Sequence, residues 1–250
     1  MFEGKVWWIT GASSGIGAAL SEALAAKGAR LILSGRNEAA LRDVAASVKT
    51  ETLILPFEAT DFARLPAITE QAWTWAAPHG GIYGLVNNAG ISQRSMAVDT
   101  SYEVFERIIS IDLMAPIALT QQVLPRMVAA GGGRIVAISS VAGIIGAPLR
   151  AAYSAAKAGL IGYNDSIRAE TAHQGIGVLG DRKKMATRLV GGSYYTDDLL
   201  RPPTLWTLDL RSNRGRLDQL FDSTSVFQSD LASDGDNVWT DPVAATRSRQ

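Results

Sequence analysis

Tyr153 and Lys157 stand four residues apart in a stretch, 152–173, whose pattern predicts a helix, so they share one helix face. A free phenol has a pKa of about 10, and an ammonium beside a phenol favours the phenolate. Such a pair can pass a proton to or from a carbonyl or alcohol oxygen near neutral pH. Ser139-Ser140 closes the apolar run just before it, and a hydroxyl there can hold the same oxygen. Alone, Tyr-x-x-x-Lys occurs often by chance, and an interfacial tyrosine beside a surface lysine is then the better reading.

A second group of residues suits a nucleotide. Thr10-Gly11-Ala12-Ser13-Ser14-Gly15-Ile16-Gly17 leaves an apolar run and opens an amphipathic one. Glycines let a backbone turn tightly and approach a pyrophosphate, and the free N–H groups of a helix N-terminus bind the anion. Ser34-Gly35-Arg36 ends the second apolar run. In dinucleotide folds a carboxylate at this point binds the ribose 2′-hydroxyl, whereas an arginine accommodates a 2′-phosphate. Gly35 and Arg36 therefore favour NADP over NAD, a surface arginine being the plainer alternative. Asn87-Asn88-Ala89-Gly90 suits a turn beside a ligand and suits any polar turn as well.

These residues need elements to position them, and the chain alternates short apolar runs with longer amphipathic ones. Strands are expected at Lys5–Thr10, Arg30–Ser34, Thr52–Pro56, Gly84–Asn87 and Arg134–Ser139, with a sixth opening at Gly175–Leu179. Helices are expected at Gly15–Lys27, Glu38–Val48, 62–77, twice within 101–130, and at 152–173. Alternation of this kind means a parallel sheet with helices on both faces, and connection handedness makes it a doubly wound α/β sheet of Rossmann type.

Composition narrows the function. Lys plus Arg and Asp plus Glu are both 24, the formal charge is zero and no basic stripe exists, which argues against nucleic-acid binding. With no cysteine and only His79 and His173, no disulfide and no metal site is expected. The first apolar run, Val6–Ile9, is too short for a signal peptide, and no apolar run of about 20 residues is present, so no membrane span and a cytoplasmic location are expected.

The nucleotide and proton-transfer residues together resemble the short-chain dehydrogenase/reductase family over about residues 4–178. Thr-Gly-x-x-x-Gly-x-Gly, Asn-Asn-Ala-Gly, Ser and Tyr-x-x-x-Lys stand in family order at family spacing. The resemblance implies strand order 3-2-1-4-5-6-7 and a homodimer or homotetramer. It also implies NAD(P)-linked interconversion of a carbonyl and an alcohol on a small-molecule substrate. It makes Tyr153 the acid/base and Ser140 the oxygen stabiliser. Lys157 would hold the nicotinamide ribose and ease proton loss from Tyr153. Gly11, Ser13, Ser14, Gly15, Ile16 and Gly17 would surround the diphosphate. Asn87, Ala89 and Gly90 would lie on the adenosine side, and Glu58 stands where the family has an aspartate that reads the adenine amine.

Two departures bear on activity. In Ser110-Ile111-Asp112-Leu113-Met114-Ala115-Pro116, Asp112 stands where the family has a catalytic asparagine. An ionised carboxylate accepts hydrogen bonds but donates none, so Asp112 either helps hold a water near Lys157 or disturbs the relay. The second departure begins near residue 179. Residues 1–178 are 52% hydrophobic and residues 179–250 are 35%; all 18 isoleucines and all nine glutamates precede residue 179, while ten aspartates follow it. Asp181-Arg182-Lys183-Lys184 stands where a buried apolar strand is expected, and no Pro-Gly follows. The chain thus divides into a Rossmann domain, 1–178, and an atypical tail, 179–250. Such a tail would leave the sheet incomplete at its C-terminal strands. A frame change in the coding sequence and a genuinely divergent tail both account for it, and translating the parent DNA in its other frames separates them. The main reading is an NADP-dependent oxidoreductase. Its rivals are a catalytically inactive dinucleotide-binding protein and a remnant.

Overall fold

The strand Val6–Thr10 (β1) is buried at every position, as expected for a strand covered on both faces. It is central in a six-stranded parallel sheet of order β3-β2-β1-β4-β5-β6. The other strands are Arg30–Ser34 (β2), Thr52–Ile54 (β3), Ile82–Asn87 (β4), Gly133–Ala137 (β5) and Ile176–Leu179 (β6). This computed structural model describes residues 2–179. The expected seventh strand and the charged run from Asp181 lie outside the described residues, and of the expected tail, 179–250, only Leu179 is described, as the last residue of β6.

Helices Gly15–Ala25 (α1), Glu38–Ser47 (α2), Leu65–Ala76 (α3), Tyr102–Ile109 (α4), Ala115–Ala129 (α5) and Ala151–Thr171 (α6) alternate with the strands. Strand order reverses between β1 and β4. Right-handed crossovers that run in opposite directions from this point put their helices on opposite faces. One face is built by Trp8, Ile32, Leu85 and Ile135 of the sheet against Ile68 of α3, Leu119, Val123 and Met127 of α5, and Ile167 of α6. Removing a leucine- or isoleucine-sized side chain from water contributes about 1.5–3 kcal/mol, so this layer sets the helix positions. On β1, Trp7 fits because its neighbour across β4 is Gly84: a Cβ there would stand 2.3 Å from the indole.

The two helices expected within 101–130 form one continuous run through a π-helical turn, Ser110–Met114, closed by a bond from the Ala115 N–H to the Ser110 carbonyl. Pro116 follows directly and offers no N–H to the carbonyl four residues earlier. A widened turn accommodates that loss. The run Tyr102–Ala129 is the one described segment long and apolar enough to cross a bilayer. Its Leu119, Val123 and Met127 are spent on the sheet instead.

Candidate active site

The site forms at the C-terminal ends of β1, β2, β4 and β5, where the strand order reverses. The turn after β1 carries two glycines in the left-handed region, Gly11 (φ 63°) and Gly15 (φ 52°). Gly17 is needed for close approach: a Cβ there would stand 2.1 Å from the Gly11 carbonyl oxygen. Ser14 is the N-cap of α1 but makes no side-chain cap bond, which leaves the first-turn N–H groups open for an anion. Ile16 in that turn is 36% exposed.

The turn after β4 is tied to this one. Asn88 donates through Nδ2 to the Thr10 and Gly11 carbonyls, each at 3.0 Å. Thr10 Oγ1 accepts from the backbone N–H groups of Asn88 and Ala89 at 3.0 and 3.1 Å. Asn88, to which the sequence alone assigns no role, locks the two turns together. Asn87 is turned into the fold and donates to Thr120 Oγ1 of α5 at 3.0 Å. With Thr10, Phe57, Ala89 and Ile111 it lines a shallow recess.

At the end of β2, the Ala12 N–H donates to the Ser34 carbonyl at 3.0 Å. Gly35 lies beside Ser13: a Cβ there would be 3.6 Å from Ser13 Oγ. Arg36 Nε is 3.9 Å from Glu58 Oε2, and both side chains are more than two-fifths exposed. Two residues read separately from the sequence thus stand together at one corner of the site, as a loose pair open to solvent.

The proton-transfer residues converge from three elements. Lys157 on α6 is buried, donates to the Ile138 carbonyl at 3.2 Å, and has Nζ 5.6 Å from the centre of the Tyr153 ring. The Arg150 guanidinium lies 5.8 Å from the same ring. Asp112, in the π-helical turn, is fully buried; its Oδ2 is 3.1 Å from Lys157 Nζ. That contact is an ion pair by distance but lacks the alignment of a hydrogen bond. Asp112 Oδ1 accepts from the Ile91 N–H at 2.7 Å. Burial pushes the Asp112 carboxyl above the ordinary carboxylate range, against the opposing pull of Lys157 and the Ile91 N–H. Gly90, expected on the adenosine side, packs on this pair: a Cβ would stand 2.7 Å from Asp112 Oδ2 and 3.3 Å from Lys157 Nζ.

Ser140 ends the segment after β5, and its Oγ accepts from the Ala142 N–H at 3.1 Å. The short 3₁₀ turn it opens, Val141–Gly143, packs so closely on α6 that a Cβ at Gly143 would be 2.7 Å from the Lys157 carbonyl carbon. Ser139 adds a hydroxyl 3.4 Å from the Lys157 carbonyl oxygen. The segment carrying Ser140 is thereby held against the helix that carries Tyr153 and Lys157.

A parallel doubly wound sheet with a glycine turn at its switch point defines a Rossmann-type dinucleotide-binding fold. Residues 5–180 match the short chain dehydrogenase family, and the chain belongs to it. It is 38% identical over 180 residues to dehydrogenase/reductase SDR family member 7B of Danio rerio, covering 70% of this chain and 58% of that protein. It is 37% identical over 177 residues to the 3-oxoacyl-[acyl-carrier-protein] reductase FabG of Escherichia coli K12, covering 71% of each. A solved short-chain dehydrogenase from Streptomyces avermitilis superposes with a TM-score of 0.66 at 34% identity, covering 70% of this chain and 63% of that one. Against human SDR family member 7, 37% identical, the match takes in 67% of this chain and 50% of that protein. The match thus spans 50–58% of the length of the two SDR-named relatives.

Proposed function

We propose that the chain interconverts a carbonyl and an alcohol on a small molecule, using NADP(H) and Tyr153 as acid/base. The observation that carries this reading is the convergence of Tyr153, Lys157 and Asp112 beside the C-terminal ends of the strands, the same end of the sheet that carries the glycine turn after β1 and Arg36 after β2. The fit of a nucleotide is supported by that turn: Gly17 has no room for a Cβ, and the first-turn N–H groups of α1 have no side-chain cap. A 2′-phosphate suits Arg36, whose planar guanidinium is matched to phosphate oxygens and whose side chain is 43% exposed.

When bound, the nicotinamide supplies or accepts the hydride. In the reducing direction Tyr153 donates its phenolic proton to the carbonyl oxygen, with Lys157 Nζ standing 5.6 Å from the centre of its ring. Ser140 donates a hydrogen bond to the same oxygen from the opposite segment. Asp112 and the Ile138 carbonyl hold Lys157 in place beneath the ring. The apolar Tyr102 and Met114 on the α4–α5 run are exposed, which supports a dimer or tetramer as part of this reading.

A second reading, nucleotide binding without turnover, is favoured by Asp112, because a buried carboxylate beside Lys157 opposes the flow of positive charge toward Tyr153. The deciding experiment is NADPH oxidation by the full chain with a panel of ketones. Turnover that falls at least about 100-fold in Tyr153→Phe, with NADPH binding kept, supports the first reading. NADPH binding with no turnover on any ketone supports the second.

A further inference from the structure

Helix α6 carries both Tyr153 and Lys157, yet it starts without a local cap: Arg150, its N-cap residue, makes no side-chain cap bond. First-turn N–H groups have no partner within their own helix, and leaving them unpaired inside a protein is costly. Gln93, from the segment after β4, supplies the acceptor. Its Oε1 accepts from the Ala152 N–H at 3.1 Å and from the Tyr153 N–H at 3.3 Å. Two donors on one atom identify that atom as the amide oxygen. Gln93 is only 1% exposed.

The same segment is fastened to α6 on either side of this bond. Gln93 Nε2 donates to Thr100 Oγ1 at 3.4 Å; Thr100 Oγ1 in turn donates to the Met96 carbonyl at 2.7 Å and meets Ser95 Oγ at 2.6 Å. The Ser95 N–H donates to the Leu149 carbonyl at 3.1 Å, and Arg150 donates to Ser92 Oγ at 2.8 Å. Leu149 has φ 64°, the one non-glycine residue with a positive φ among the described residues. A conformation of that kind persists only where its surroundings impose it.

We propose that Gln93 is a positioning residue for Tyr153. Its amide oxygen sets the first turn of α6 and so fixes the direction in which the phenol leaves the helix. Small errors in the placing of a reacting group are expensive, so loss of this acceptor falls on the chemical step more than on cofactor binding, because apart from Lys157 the nucleotide residues (the Gly11–Gly17 turn, Arg36 and Glu58) lie on other elements. The kinetic part rests on the oxidoreductase reading above, whereas the helix-cap part does not.

The test compares Gln93→Met, which keeps size but removes the acceptor, with Gln93→Glu, which keeps an acceptor and adds a charge that a helix N-terminus favours. Two quantities are read on the full chain: amide hydrogen exchange at Ala152 and Tyr153, and kcat and KM with NADPH. Gln93→Met should speed exchange at these two amides at least about tenfold while β1 and β4 stay protected. It should lower kcat about tenfold or more with the KM for NADPH within about twofold. Gln93→Glu should restore slow exchange and most of kcat. If Gln93→Met gives no folded protein, Gln93→Asn withdraws the same oxygen by one methylene and should show the same two losses. Unchanged exchange and unchanged kcat in a folded Met or Asn variant overturn the proposal, as does a Glu variant no better than Met. If the unaltered chain turns over no ketone, the oxidoreductase reading fails, and exchange at Ala152 and Tyr153 still decides the role of Gln93.

Discussion

Replacing Gly17 with alanine sets two effects against each other whose sizes the structure separates. Inside a helix, alanine is favoured over glycine by up to about 1 kcal/mol. Gly17 is the third residue of α1, so propensity alone predicts a gain. The added Cβ, however, would stand 2.1 Å from the Gly11 carbonyl oxygen and 2.8 Å from Asn88 Nδ2, where ordinary contact begins at 3.4 Å. Neither neighbour can retreat easily. Gly11 is held at φ 63°, and its carbonyl accepts from Asn88, which also grips Thr10. The start of α1 must therefore move by about 1 Å or more, and overpacking of this order costs about 1–3 kcal/mol. A contact as short as 2.1 Å puts the cost in the upper part of that range, about 2–3 kcal/mol, so the clash outweighs the propensity gain, for a net loss of about 1–2 kcal/mol and a fall in Tm of about 2–8 °C. Gly162 in α6 is the internal comparison, because it is exposed and a Cβ there meets nothing within 4 Å. Gly162→Ala should raise stability by about 0.5–1 kcal/mol. The same displacement should weaken NADPH binding in Gly17→Ala at least about tenfold, equivalent to about 1.4 kcal/mol. Thermal melts and fluorescence titration of NADPH measure both effects. A Gly17→Ala chain that melts at or above the parent, or that binds NADPH equally well, refutes the argument that this turn is shaped for close approach.

Two further outcomes follow from the corners of the site. Arg36→Asp should shift preference from NADP(H) toward NAD(H), because a carboxylate repels a 2′-phosphate and accepts from a 2′-hydroxyl; equal affinities in the parent, or no shift in the variant, remove Arg36 from the ribose. Asp112 affects stability with an unusual sign: its folded pKa is raised by burial, so the fold binds a proton that the unfolded chain releases. That contribution is complete below about pH 3.9, the unfolded value, and is lost as pH rises through the folded value. The stability of the parent relative to Asp112→Asn, read from urea unfolding at a series of pH values, should therefore decline from pH 4 upward; a difference that grows with pH means that Lys157 outweighs burial.

Local features were legible in the sequence because their physics is local. Tyr153 and Lys157 share a face through helix periodicity alone, and the glycines at 11, 15 and 17 report the backbone demands of one turn. The alternation of apolar and amphipathic runs was enough for the parallel sheet, since a strand buried on both faces has no room for polar residues. It placed β2 at its observed limits and the others within a few residues of them. The continuity of α4 and α5 was not legible, because a π-helical turn differs from a helix break by a single displaced hydrogen bond. Distant partners were hidden more deeply. Gln93 meets the start of α6 about 60 residues later, Asp112 meets Lys157 across 45 positions, and Asn88 reaches back to Gly11. No periodicity or spacing encodes such pairs. They exist because the strand order reverses beside β1 and brings the ends of β1, β4 and β5 together, and only the folded sheet decides which side chains then fall within hydrogen-bonding reach.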